Sequence, residues 1–161
     1  MAALNAWAPA GRRTVPGVPC RPLIATGAFG ERLPARRVAA MIARGLQAGG
    51  VPAPDVLGLA REDPAPDELS ELLDAQEFDA RMRAARAVIL GQRCLREQML
   101  AGSVFFEIAT RARQAGVPAY AVTGANRLER FDARILDLQV IVEAGSGRAL
   151  VAAGRSLAGY I

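Results

Sequence analysis

Residues 86–126 read RAVILGQRCLREQMLAGSVFFEIATRARQAGVPAYAVTGAN, and the fold is decided here. An apolar run, Ala87 to Leu90, stops at Gly91, and a polar loop follows. Ser103 to Ala115 then repeats its apolar residues at helical spacing, and a second apolar run, Ala119 to Thr123, stops at Gly124. Strand, loop, helix, strand is a crossover unit. A right-twisted strand feeding a right-handed helix packs back onto its sheet in one hand only, so the unit predicts two parallel strands. Both strand-end loops then open on the carboxyl edge of the sheet, where ligands of open α/β sheets bind.

Upstream, Pro22 to Thr26 predicts a first strand ending at Gly27. Pro34 opens a helix with Val38, Met41, Ile42 and Leu46 on its apolar stripe, and Gly49-Gly50 ends it. Asp55 to Ala60 predicts a second strand. A helix capped by Asp67 follows, with Leu69, Leu72 and Leu73 facing the core, and Phe78, Met82 and Ala85 continue the period after a break near Gln76. Downstream, Leu128 to Leu136 predicts a short helix and Leu138 to Val142 a last strand. The turn Gly145-Ser146-Gly147 leads to a C-terminal helix whose glycines weaken it by about 1 kcal/mol each relative to alanine. Strands alternating with helices predict a single three-layer Rossmann-like α/β domain, with a mainly parallel sheet of about five strands and helices on both faces. Residues 1–21 show no period and read as a mobile leader, so the domain is expected over 22–161.

Composition narrows the chemistry. All 20 basic residues of the 161 are arginine, with no lysine or histidine. Histidine acid/base pairs, histidine metal sites and lysine Schiff bases are therefore excluded. The formal charge of +4 is spread over several segments without interleaved aromatics, which argues against a nucleic-acid surface. No apolar run approaches the ~20 residues of a membrane span, so no membrane partner is expected. Cys20 and Cys94 form neither a disulfide framework nor a CxxC site, and with no export signal a cytoplasmic setting is expected.

Three glycine-bearing strand ends could carry a ligand: Thr26-Gly27-Ala28-Phe29-Gly30, Gly91 through Gly102-Ser103, and Thr123-Gly124-Ala125-Asn126. Glycine permits close approach to the backbone, and Ser103 at a helix start offers amides and a hydroxyl to an anion. A small anionic molecule or a nucleotide is the ligand class this suits, although neither GxGxxG nor a P-loop is present. Arg93, Arg96, Glu97 and Gln98 read as a solvated loop, and Cys94 beside them has no base to activate it. Glu62 and Asp63 could hold Mg²⁺ with Asp67 and Glu68, although helix capping also accounts for the latter two.

The run VILGQRCLREQMLAGSVFFEIATRARQAGVPAYAVTG resembles the C-terminal half of the glycerate kinase family, whose pattern there is approximately VITGEGRxDxQTxxGKxxxxVAxxAxxxGVPVxAxxG. Gly91, Gln98, Leu100, Gly102, Ile108, Ala109, Ala112, Gly116, Val117, Pro118 and Gly124 keep the frame without a gap. At the front, ATGAFGERLPARRVAAMIARG is similar to the family's PDSFKGSLSAxEAAxAIxxG, with Phe29, Leu33, Ala35, Ala39, Ile42 and Gly45 in frame. The resemblance covers residues 22–60 and 86–161. It implies ATP and Mg²⁺ as cofactors where activity is retained; the residues expected to bind are Gly27, Gly30, Gly91, Gln98, Gly102, Ser103, Gly124 and Asn126.

The departures fall on charged positions. Gln92 stands for the glutamate of GEGRxDxQT, Cys94 for its arginine and Arg96 for its aspartate; Ser103 replaces the lysine of GK, Gly27 the opening aspartate and Gly30 the opening lysine. The family's ADGGEGT is reduced to Ala60-Arg61-Glu62-Asp63, and its large insertion shrinks to Asp67–Ala85. The expectation is a catalytically degenerate glycerate kinase-like domain that binds an anion, a nucleotide or a partner protein. Two alternatives stand beside it. One is an active kinase of glycerate or a related hydroxy acid, with Arg93, Arg96, Glu62 and Asp63 in service. The other is a structural subunit that self-associates.

Overall fold

The structure, a computed structural model, describes residues 21–59, 66–100 and 102–161. Residues 1–20 of the expected leader, Cys20 among them, and Glu62 and Asp63 lie outside the described residues, while Arg21 is described and its carbonyl accepts the Arg86 amide at 3.1 Å.

Five strands form one all-parallel sheet: β1 (Leu23–Thr26), β2 (Asp55–Gly58), β3 (Val88–Leu95), β4 (Ala119–Asn126) and β5 (Leu138–Glu143), in the order β2-β1-β3-β4-β5. Six helices connect or follow them: α1 (Ala35–Ala48), α2 (Pro66–Ala75), α3 (Phe78–Ala84), α4 (Val104–Gln114), α5 (Arg130–Ile135) and α6 (Gly147–Leu157). This is a Rossmann-like three-layer fold. The chain reverses direction across the sheet between β1 and β3, which makes their carboxyl ends the switch point.

The central strands are buried on both faces, and period-two alternation divides their side chains between two cores. Leu23, Ala25, Val88, Leu90, Ala119 and Ala121 point to the layer that holds Leu69, Leu73, Phe78, Met82 and Ile108 of α2, α3 and α4. Ile24, Ile89, Tyr120 and Val122 point to the opposite layer, against Val38, Ile42 and Leu46 of α1 and Leu150, Ala153 and Leu157 of α6.

α1 and α6 run parallel and touch through small residues. A Cβ on Gly154 would collide with the Ile42 carbonyl, and one on Gly45 with the Val151 carbonyl. Along the same seam Gly147 lies beside Met41, and Gly49 beside Ala158. The glycines expected to weaken the C-terminal helix are thus what lets it dock, and their propensity cost is offset by backbone-level packing.

Several expected boundaries shift. β3 does not stop at Gly91: it continues through Gln92, Arg93 and Cys94 to Leu95, because β4 continues past Gly124 to Asn126 and pairs with it. Gln92 is opposite Thr123, Cys94 opposite Ala125 and Leu95 opposite Asn126, so a polar stretch is held as strand by its neighbour's ladder. β2 ends at Gly58, and α2 begins at Pro66, which puts Asp67 inside the first turn where a cap was expected. The break near Gln76 is real: Glu77 takes a left-handed conformation with φ of 51° before α3.

Candidate functional site

The switch-point edge gathers part of the expected site. Gly27 and Gly91 line a small cavity with Gln92, Ala25, Leu59, Leu90 and the first residues of α4, Val104 and Phe105. The cavity holds about 10 Å³. That is close to the minimum for one water, whereas small-molecule sites usually measure roughly 300–1,000 Å³.

What fills this edge is the chain's own backbone and side chains. Thr26 is buried, and its hydroxyl donates to the Ala35 carbonyl at 3.1 Å. A Cβ on Gly91 would collide with the Thr26 side chain, so Gly91 makes room for a neighbouring strand. The Gly27 amide donates to the Gly91 carbonyl at 3.0 Å, extending the ladder. Gly124 is closed off similarly, since its Cβ would stand 2.7 Å from the Arg93 carbonyl oxygen.

The other expected residues are engaged locally or exposed. Gly30, with φ of 105°, forms a tight turn in which the Phe29 amide donates to the Leu33 carbonyl at 2.8 Å and the Leu33 amide to the Gly30 carbonyl at 3.1 Å. Gly102 has φ of 79° and open space where a Cβ would be, so its conformation alone calls for glycine. Ser103 caps α4, its hydroxyl oxygen accepting the Phe106 amide at 3.1 Å. Asn126 accepts the Leu128 amide at 3.1 Å through Oδ1, an Asx turn. Arg93, Arg96 and Gln98 are exposed, Arg93 on β3 and Gln98 in the 3-10 turn Glu97–Leu100. Cys94 is half-buried, with Sγ 3.9 Å from the Leu95 carbonyl oxygen. Gly27 and Gly91 therefore meet at the cavity, while Gly30, Gly102, Ser103, Gly124 and Asn126 have steric or capping work of their own.

No group of three or more potential metal ligands occurs among the described residues. No helix among them is long and apolar enough to cross a membrane.

Two arginines outside the expected site each engage several partners. Arg81 on α3 grips Asp55 through two hydrogen bonds of 2.7 Å, and donates to the Val56 carbonyl at 2.9 Å and the Gln76 carbonyl at 3.3 Å. Gln76 adds a bond of 3.2 Å to the Gly58 carbonyl. Outward carbonyls of the edge strand β2 are thereby occupied, which blunts pairing with another chain. The Arg81 hydrogen bond holds the Asp55 carboxyl below its ordinary range despite partial burial. Arg111 on α4 meets Glu107 at 2.8 Å, Asp79 at 3.3 Å and Asp74 at 3.7 Å, tying α4 to α2 and α3. Burial works against its charge, and the hydrogen bonds to Glu107 and Asp79 more than compensate, raising its pKa. The one-dimensional signal for Arg111 is the i,i+4 spacing to Glu107. Arg81 and Asp55 have none, being 26 residues apart.

No known family model matches this sequence, and no curated protein sequence matches it. Among solved structures, one described as a "putative pilus assembly-related protein" from Burkholderia pseudomallei is similar over 91% of this chain and 95% of its own, at 14% identity and a TM-score of 0.48. A likeness of that size carries no argument about function.

Proposed function

We propose that this chain is a catalytically degenerate glycerate kinase-like domain that works by binding, not by phosphoryl transfer. The observation behind the reading is the occupied switch point. Leu59, Gln92, Val104 and Phe105 close around Gly27 and Gly91 to leave a cavity of about 10 Å³, little room for a nucleotide phosphate at that point. Phosphoryl transfer demands a positioned nucleotide and groups that neutralise charge on the transferring phosphoryl. Gln92, Arg96 and Ser103 stand where the family frame carries glutamate, aspartate and lysine, and Ser103 is committed to capping α4. A small anion or a partner protein at the exposed ends of β3 and β4, near Arg93, Arg96 and Gln98, suits what remains. The setting proposed is cytoplasmic.

A coupled assay with ATP, Mg²⁺ and D-glycerate tests this. The expected rate equals the rate without protein, and thermal melts with ATP are expected to show no saturable shift. Turnover that disappears in Arg96→Ala would overturn the reading and favour an active kinase.

A further inference from the structure

The sequence scatters its arginines, and the fold sorts them. α1 and α6 together carry Arg36, Arg37, Arg44, Arg148 and Arg155 and no acidic residue. These five belong to a chain of 20 arginines and 16 acids, so the remaining 15 arginines and 16 acids sum to −1. The whole positive excess of the molecule therefore sits on one pair of neighbouring helices. All five side chains are exposed, on the sides of the helices turned away from the buried stripes Val38, Ala39, Ile42, Gly45, Leu46 and Leu150, Ala153, Gly154, Leu157. None of the five makes an ion pair among the described residues.

The arginines also fall in rows. Arg37 and Arg44 are seven residues apart on α1, as are Arg148 and Arg155 on α6. Seven residues are two helical turns, a rise of about 10.5 Å. The helices are parallel and in contact at Gly45 and Gly154, so the two rows lie side by side at a helix–helix spacing of no more than roughly 8–10 Å. Between the arginines the outward positions are Ala40, Gln47, Ala48, Ala152 and Ser156, all exposed. No large apolar side chain stands among them, since Val56, Phe131, Ile135 and Tyr160, the exposed large hydrophobics, lie off both helices.

We propose that the outward face of α1 and α6 binds the phosphate backbone of double-stranded nucleic acid without reading its sequence. A protein partner would need apolar anchors at the centre of the contact, and an interfacial helix would need bulky apolar residues to seat among lipid headgroups; this face has neither. What it has is a field of guanidinium groups, each able to hold a phosphate through two hydrogen bonds. Such binding draws its free energy from released counterions, so charge without apolar surface is sufficient. Two parallel rows suit the two phosphate strands that border a minor groove about 6 Å wide. Contacts to phosphates position a duplex and carry no sequence information, which is the kind of contact proposed.

Fluorescence anisotropy with a fluorescein-labelled 24-base-pair duplex of arbitrary sequence tests the proposal on the full chain. The four phosphate contacts of the two rows predict a slope of about −3.6 in log K against log salt, and roughly a 150-fold loss of affinity between 50 and 200 mM NaCl. Arg44→Ala/Arg155→Ala removes two contacts, lowering the slope by about 2 and weakening binding at 50 mM roughly 200-fold. Arg83→Ala/Arg113→Ala, on the opposite helical layer, is expected to bind as the unaltered chain does. Circular dichroism melts confirm that each variant folds. The proposal is overturned by no binding at 50 mM NaCl, by equal losses in the two double variants, or by binding to phosphatidylserine vesicles with none to the duplex.

Discussion

On one side of the sheet, α1 and α6 approach until Gly45 meets Gly154, and every arginine they carry faces water. On the other, α2, α3 and α4 meet through Leu69, Leu73, Phe78, Met82 and Ile108, while Arg81 and Arg111 turn to carboxylates on neighbouring elements. The difference follows from how close the backbones come. Helices in glycine contact leave no crevice at their seam for a long polar side chain, so their charges project outward. Helices spaced by leucine and phenylalanine leave rims that a guanidinium can bridge, burying its stem and satisfying its donors. One layer leaves its cations facing solvent, and the other turns Arg81 and Arg111 to its own architecture.

The largest effect is expected at the glycine seam. Gly154→Val drives a branched side chain into the Ile42 carbonyl, and since backbone cannot yield as a side-chain tip can, the urea midpoint should fall by the equivalent of about 3 kcal/mol. Gly58→Ala, where a Cβ would meet nothing within 4 Å, serves as the matched control and should change stability by under about 0.5 kcal/mol. If both behave alike, the seam is looser than described and the contrast between the layers fails.

A smaller effect is expected at the Arg81–Asp55 clamp. The folded carboxyl titrates below its ordinary value of 3.8, so the pair's contribution is complete above that pH and fades as pH falls through the folded pKa. Because the Asp55 side chain is 42% exposed, solvent screening keeps the contribution to about 1 kcal/mol or less. Urea melts at pH 7 and pH 3 should show Arg81→Met losing stability mainly at the higher pH. The smallest effect belongs to the outward row: Arg44→Ala/Arg155→Ala should leave the melting midpoint within the equivalent of about 0.5 kcal/mol. A substantial loss there would mean these arginines support the fold, which would erase the distinction between the layers.

Much of this architecture is legible in one dimension. Apolar runs ending in glycine, alternating with stripes at helical spacing, mark β1, α1, β3, α4 and β4, because burial imposes the period of each element on its own residues. Ser103 is readable as the cap of α4 for the same local reason. The strand Gln92–Leu95 is not readable, because nothing in its own composition favours a strand and the β4 ladder supplies the stability. The candidate site suffers likewise. Glycines at strand ends look alike whether they admit a phosphate or a neighbour's threonine, and only the position of Thr26 distinguishes the two at Gly91.

The sequence by itself determined the alternation of elements, the parallel crossover, the exclusion of histidine and lysine chemistry, and the excess of arginine, since each depends on residues near one another or on a count. Tertiary structure alone decided where that excess sits, which glycines serve packing, and whether the edge from Gly91 to Gly124 is open. Those outcomes depend on pairs such as Ile42 with Gly154, Thr26 with Gly91 and Arg81 with Asp55, which distant stretches of chain bring together only when the sheet closes.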